Sequence, residues 1–227
     1  GPLTTAFSTK EAMLKDWGSW DADFRAMTKS ICDQLVALAG DTSGELVCVP
    51  MQGSGTFAVE AMLGTFVPRD GKVLVLANGA YGLRAAETMR YLGRAHTLID
   101  KGDYMPPRGD EVGATLDADP GITHVIAIHC ETSSGILNPV AEISEVVYAR
   151  GRKLLIDSMS AFGAIDLDVN RIRYEAMVSS ANKCIEGVPG FGFVVARRSE
   201  LEAARGNSHS LALDLHAQWA YMEKTGQ

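Results

Sequence analysis

Apolar positions along the chain follow two spacings in turn. Leu154, Leu155 and Ile156 form a short continuous run closed by Asp157 and Ser158, and runs of the same kind recur at 46–49, 72–77, 94–99, 125–128, 176–179 and 193–196. A short apolar run bounded by turn residues predicts a strand buried on both faces. Between these runs the spacing lengthens to three or four. Phe24, Met27, Ile31, Leu35 and Leu38 predict an amphipathic helix over 23–39 that Gly40 closes, and similar patterns cover 57–66, 82–92 and 111–116. Another helix is predicted from Asn138-Pro139, read as its cap, to Ala149. Pro50 is expected to end the first strand, and the two prolines of 101–108 mark a loop. Beyond Lys183 the rhythm changes. Glycine and proline punctuate 187–192, a helix opens at Leu201, and 211–224 reads as a helix with Leu215, Trp219 and Met222 on one face. Residues 1–22, with Trp17 and Trp20 and a short helix expected over 10–15, read as an extended arm.

Alternating strands and helices predict an α/β fold, a mostly parallel sheet covered by helices on both faces in three layers. Open sheets of this kind bind ligands at the carboxyl ends of their strands. Asp157 therefore faces a crevice, and Lys183 reaches the same crevice from the next strand end. An acid and an amine held close there meet the needs of a pyridoxal phosphate enzyme, in which lysine carries the cofactor and the carboxylate keeps the pyridine nitrogen protonated. Taken singly, the two also fit a helix cap and a solvated amine. Upstream, Gln52-Gly53-Ser54-Gly55-Thr56 joins a strand to a helix. Glycines admit a close backbone approach, and hydroxyls and free amides at a helix start suit an anion; a plain serine or threonine N-cap is the alternative. The loop matches neither GxGxxG nor GxxxxGK[ST], which disfavours ATP and GTP. Tyr81, after Asn78-Gly79, stands at the mouth of the crevice, as a stacking ring or as a half-buried aromatic. His129 and Glu131 lack a third partner at metal-ligand spacing, so no metal site is expected.

Composition narrows the classes. With 227 residues, 46% hydrophobic and 22% charged, the chain has the make-up of a globular domain. A net charge of −7 disfavours a nucleic-acid surface. Apolar stretches fall short of a membrane span. Cys32, Cys48, Cys130 and Cys184 form no CxxC pair, and no secretory segment is visible, which reads as a cytoplasmic protein.

Several motifs in one order carry a resemblance: Asp16-Trp17-Gly18-Ser19, Gln52-Gly53-Ser54-Gly55-Thr56, Asn78-Gly79-Ala80-Tyr81-Gly82, Glu131-Thr132-Ser133-Ser134-Gly135, Asp157-Ser158-Met159-Ser160 and Ser180-Ala181-Asn182-Lys183. From Gly1 to Gln227 the chain resembles the 2-aminoethylphosphonate:pyruvate transaminase family, class V aminotransferases of pyridoxal phosphate fold type I. The resemblance implies pyridoxal 5'-phosphate as cofactor, Lys183 as the lysine that bonds to it, and Asp157 as partner of the ring nitrogen. It also implies Ser54, Gly55, Thr56 and Asn182 around the cofactor phosphate, Tyr81 stacked on the ring and Thr132 near the ring oxygen. The implied reaction moves the amino group of 2-aminoethylphosphonate to pyruvate, in phosphonate catabolism, within a homodimer. No residue is singled out for the phosphonate: Arg25, Arg84 and Arg94 are each expected to be solvated. The family's smaller C-terminal domain, with its substrate-binding arginine, is expected to be absent, leaving 1–22 as arm and 23–227 as large cofactor-binding domain; the activity of these residues alone stays open. Two alternatives stand beside this reading: a sister class V transaminase of the alanine:glyoxylate or serine type, and a truncated noncatalytic chain acting by subunit association.

Overall fold

The computed structural model describes residues 3–226, so Gly1 and Pro2 of the predicted arm and Gln227 of the predicted domain lie outside the described residues. Seven apolar runs pair into one sheet. In chain order they are β1 (Leu46–Gln52), β2 (Lys72–Ala77), β3 (Ala95–Asp100), β4 (Ile122–Ile128), β7 (Lys153–Asp157), β8 (Ala176–Ser180) and β9 (Phe191–Arg197), while β5 (Cys130–Glu131) and β6 (Ile136–Leu137) make a small separate ladder. Across the sheet the order is β1-β9-β8-β7-β4-β2-β3, and β9 alone runs against its neighbours. The carboxyl ends of β1, β2, β4, β7 and β8 consequently share one edge.

Successive residues of each central strand feed opposite faces. On β7, Leu154 and Ile156 join one core while Leu155 joins the other; on β2, Leu74 and Leu76 part from Val73 and Val75 in the same way. Burial on both sides explains the unbroken apolar runs. The face that holds Leu154 is covered by α2 (Ala22–Leu38), α5 (Gly109–Ala118) and α6 (Val140–Ala149). α3 (Gly55–Phe66), α4 (Ala80–Tyr91), α7 (Arg198–Ala203) and α8 (Leu215–Thr225) cover the other. Three layers result.

Three expectations need correction. β1 runs through Pro50 to Gln52. It is the edge strand, where proline's missing N–H is tolerated. Asn138 does not cap α6, whose N-cap is Pro139 with no side-chain bond; the buried Asn138 amide instead pairs with Asn78 at 2.8 and 3.0 Å and donates to the Ile128 carbonyl at 2.8 Å. The last predicted helix breaks at Asp214, whose carboxylate accepts from the Ala217 amide and starts α8. A single 3₁₀ turn, Leu211–Leu213, precedes it.

The helix expected at 23–39 forms as α2, but its apolar stripe is covered mainly at Leu35; Met27, Ile31 and Leu38 are exposed. In the arm, α1 (Phe7–Glu11) and the 3₁₀ turn Ala12–Leu14 bury no residue, and Phe7, Leu14 and Trp20 face outward.

Candidate active site

Where β1 ends, Gly53 turns the chain with φ +111°, and its amide donates to the Gly190 carbonyl at 2.9 Å. Ser54 is the N-cap of α3, yet its side chain makes no capping bond. Among the described residues the first two amides of α3, those of Gly55 and Thr56, meet no backbone acceptor, while the Phe57 amide donates to Ser54 O at 3.0 Å. The plain-cap alternative for this loop therefore loses its support, and the hydroxyl and amides are left for a ligand.

These groups open on a cleft of about 380 Å³ at the carboxyl edge of the sheet. Ser54, Gly55, Thr56, Tyr81, Asp157, Asn182 and Lys183 all line it. Thr132 does not; it sits exposed on the loop after β5. Asp157, the last residue of β7, is 5% exposed, and one carboxylate oxygen accepts the Met159 amide at 2.9 Å. Lys183 belongs to the loop joining β8 to β9, held by Gly187 N–H donating to Ala181 O at 2.7 Å and Glu186 N–H to Lys183 O at 2.8 Å. The arm crosses that loop: the Leu3 amide donates to Asn182 O, and Thr5 Oγ1 donates to Gly187 O at 3.0 Å.

Burial pushes the Asp157 carboxyl up to about 6; the Met159 amide opposes the rise, Glu131 adds to it, and Lys183 opposes it. A carboxyl raised above its unfolded value binds extra protons in the folded state, so its contribution to stability falls as pH rises from about 4 through 6. Asp157→Asn removes that dependence. Without cofactor, the variant is expected to melt above wild type at pH 8 and to show a flatter stability profile between pH 4 and 7; thermal melts across that range check it. A wild-type melt that is higher at pH 8 refutes the assignment.

Other residues around the cleft carry no local sequence signal. Met159 lies beneath Gly55, where an added Cβ would stand 2.5 Å from its sulfur. Arg84, expected to be solvated, lines the cleft with its guanidinium 5.4 Å from the Tyr81 ring centre. Arg84 is exposed as expected, whereas Arg94 is not: only 3% exposed, it donates to the carbonyls of Gly64 and Asn207. Arg25 donates to Thr225 O, away from the cleft. His129 and Glu131 are both engaged by protein groups. The His129 ring pairs with Ser158 Oγ at 2.9 Å, its amide donates to Asp157 O at 2.7 Å, and burial pushes its pKa down to about 4. Among the described residues no three His, Cys, Asp or Glu side chains are grouped to hold a metal.

The model of the family Aminotransferase class-V matches residues 48–211, a span that contains the whole cleft-forming part of the sheet. The chain belongs to the class-V aminotransferases. Over all 227 residues it is 75% identical to a 2-aminoethylphosphonate–pyruvate transaminase of Rhizobium meliloti (strain 1021) and 68% identical to one of Paraburkholderia xenovorans (strain LB400). It spans 59% and 58% of the lengths of these two relatives. Among solved structures, the alanine–glyoxylate aminotransferase of Nostoc superposes with a TM-score of 0.89 at 22% identity, over 97% of this chain and 59% of that one. An aspartate aminotransferase of Thermus thermophilus gives 0.88 at 22% identity, over 100% and 63%. At such identities the superpositions speak for the fold, and the fold is that of the aminotransferases. This class-V aminotransferase chain has, among its described residues, no helix long and apolar enough to cross a membrane.

Proposed function

We propose that this chain is the cofactor-binding part of a transaminase that moves the amino group of 2-aminoethylphosphonate to pyruvate, giving phosphonoacetaldehyde and L-alanine. The convergence of Lys183, Asp157 and the open N-terminus of α3 on one cleft carries the chemistry. Identity along the whole chain with relatives of that named activity supports the choice of substrates.

The cofactor of the family is pyridoxal 5'-phosphate, and the residues lining the cleft fit its chemistry: a hydroxyl and free amides for an anion, a buried carboxylate and a lysine. When bound, it supplies a conjugated ring that draws electrons from the substrate carbon. Ser54 Oγ and the Gly55 and Thr56 amides would hold its phosphate, with Asn182 as a further donor. Asp157 would stand at the ring nitrogen, where a carboxylate favours the charged form. Tyr81 would flank the ring. Lys183 Nζ would hold the cofactor and, when freed, would be the general base that takes a proton from the substrate carbon and the general acid that delivers that proton to the cofactor's own carbon.

A homodimer belongs to the same reading, supported by the apolar side chains that α1, α2 and the arm leave uncovered. So does a cytoplasmic setting, with all four cysteines free.

The test is the visible absorbance of the purified protein loaded with pyridoxal 5'-phosphate. The band of the lysine-bound cofactor is expected to fade on adding 2-aminoethylphosphonate and to return with pyruvate as alanine forms. A band that ignores the phosphonate and answers to alanine or serine would assign a sister transaminase. A stable band that answers to no amine would favour a noncatalytic, subunit-associating chain.

A further inference from the structure

Two helix N-termini open toward the cleft, and they are finished differently. That of α3 is free, as described. That of α4 is closed from within by the segment after β4. Glu131 is fully buried, and its Oε2 accepts the amides of Tyr81 at 3.0 Å and Gly82 at 3.1 Å. Its Oε1 accepts the amide and hydroxyl of Ser133 at 3.2 and 2.8 Å. Ser133 Oγ in turn accepts the Ala80 amide at 2.8 Å. All three leading amides of α4 thus end on one two-residue device, although the helix's own N-cap, Gly79, has no side chain to offer. The fit is tight: a Cβ at Gly79 would stand 2.3 Å from Ser133 Oγ and 2.5 Å from Glu131 Cγ.

We infer that Glu131 and Ser133 are positioning residues which, by pinning the backbone of residues 80–82, fix the direction in which Tyr81 presents its ring to the cleft and so set how tightly the cofactor ring is held. Neither residue lines the cleft; Tyr81 does. A carboxylate at a helix N-terminus is favoured by the helix dipole, and bonds to a charged acceptor are the strong ones. A buried carboxylate with both oxygens matched to donors has one low-energy arrangement, which is what positioning requires. The step from Tyr81 to cofactor rests on the function proposed above; the pinning of α4 does not.

The experiment has two arms, one on the protein without cofactor and one with it. Amide hydrogen exchange of residues 79–83 is compared in wild type, Glu131→Ala, Glu131→Gln and Ser133→Ala. Glu131→Ala is expected to speed exchange at Ala80, Tyr81 and Gly82 by at least about tenfold, the scale of losing bonds to a buried charged acceptor, and to leave β4 unchanged. Glu131→Gln keeps an oxygen acceptor and should retain most of the protection, and Ser133→Ala should free Ala80 foremost. In the second arm, pyridoxal 5'-phosphate affinity is measured for Glu131→Ala, Tyr81→Ala and the double variant. Action through Tyr81 predicts that Glu131→Ala weakens binding about as much as Tyr81→Ala does, and that the double variant is no weaker than Tyr81→Ala alone. Additive losses, or unaltered exchange at 80–82, overturn the inference. Should Glu131→Ala fail to fold, Ser133→Ala and Glu131→Gln carry both arms. Wild type that takes up no cofactor would sink the proposed function, while the exchange arm still decides whether α4 is pinned.

Discussion

Under the proposed transamination, Lys183→Ala is expected to lower alanine formation from pyruvate by at least about 10²–10⁴-fold, the range contributed by a positioned proton-transfer group, and to remove the absorbance of the lysine-bound cofactor. The fold should survive the change. The loop that carries Lys183 is held by backbone bonds of Ala181, Glu186 and Gly187, and from outside by Leu3 and Thr5, none of which uses the lysine side chain. The side chain is only half-buried, so its truncation leaves no core cavity. A thermal melt close to wild type, together with lost turnover, would place the defect in chemistry. Lys183→Arg sharpens the result, because it keeps the charge and cannot surrender a proton near neutral pH. Activity within tenfold of wild type in either variant would remove Lys183 from its assigned role.

Gly82→Ala is expected to cost about 3 kcal/mol, at the upper end of overpacking penalties. A Cβ at this position would meet Ala77 Cα at 2.5 Å, Ala77 Cβ at 2.7 Å and Leu76 O at 3.0 Å. These are backbone and Cβ atoms of the central strand β2, and no rotamer change relieves them. Alanine's better helix propensity, about 1 kcal/mol over glycine, is outweighed. To make room, α4 must move off the sheet, and the amides of Tyr81 and Gly82 then leave Glu131. Cofactor affinity should therefore fall along with stability. Denaturant midpoints at constant slope measure the first, and titration with pyridoxal 5'-phosphate the second. Gly64→Ala is the control: its nearest neighbour would be a Leu92 methyl carbon at 3.8 Å, so the variant should be at least as stable as wild type. Equal stability of Gly82→Ala and wild type would show that α4 packs less closely on β2 than the contacts imply.

Much of the architecture was legible because its signals are local. Unbroken runs such as 72–77 and 154–157 announce strands buried on both faces, and the carboxylate ending one of them marks the ligand edge. Lys183 and Asp157 are expected to meet from their places after adjacent strands, and the structure brings both to one cleft with Ser54, Gly55, Thr56, Tyr81 and Asn182. What escaped depends on packing between segments far apart in the chain. Nothing around Glu131 tells that its carboxylate reaches the start of a helix fifty residues earlier, and Met159 gains its place under Gly55 only when the turn after β7 meets the start of α3. Asn138 looked like a helix cap by spacing, but a buried partner, Asn78, claims its side chain. Arg94 looked solvated because a charge predicts exposure, whereas backbone carbonyls satisfy it inside. Thr132 was carried over by position in a motif, and the loop after β5 turns it outward.

The single reversed strand gives the site an unequal mechanical construction. Lys183 and Asp157 follow β8 and β7, which are direct neighbours inside the sheet, while the glycine loop follows β1, an edge strand whose one ladder among the described residues is with β9. A pull on β1 would have a single ladder to unzip before it reached the glycine loop, which α3 in turn holds down on β8 and β9. Asp157 and Lys183 lie farther inside the sheet, so under load the loop proposed to hold a phosphate is expected to loosen before the acid and the amine proposed to react.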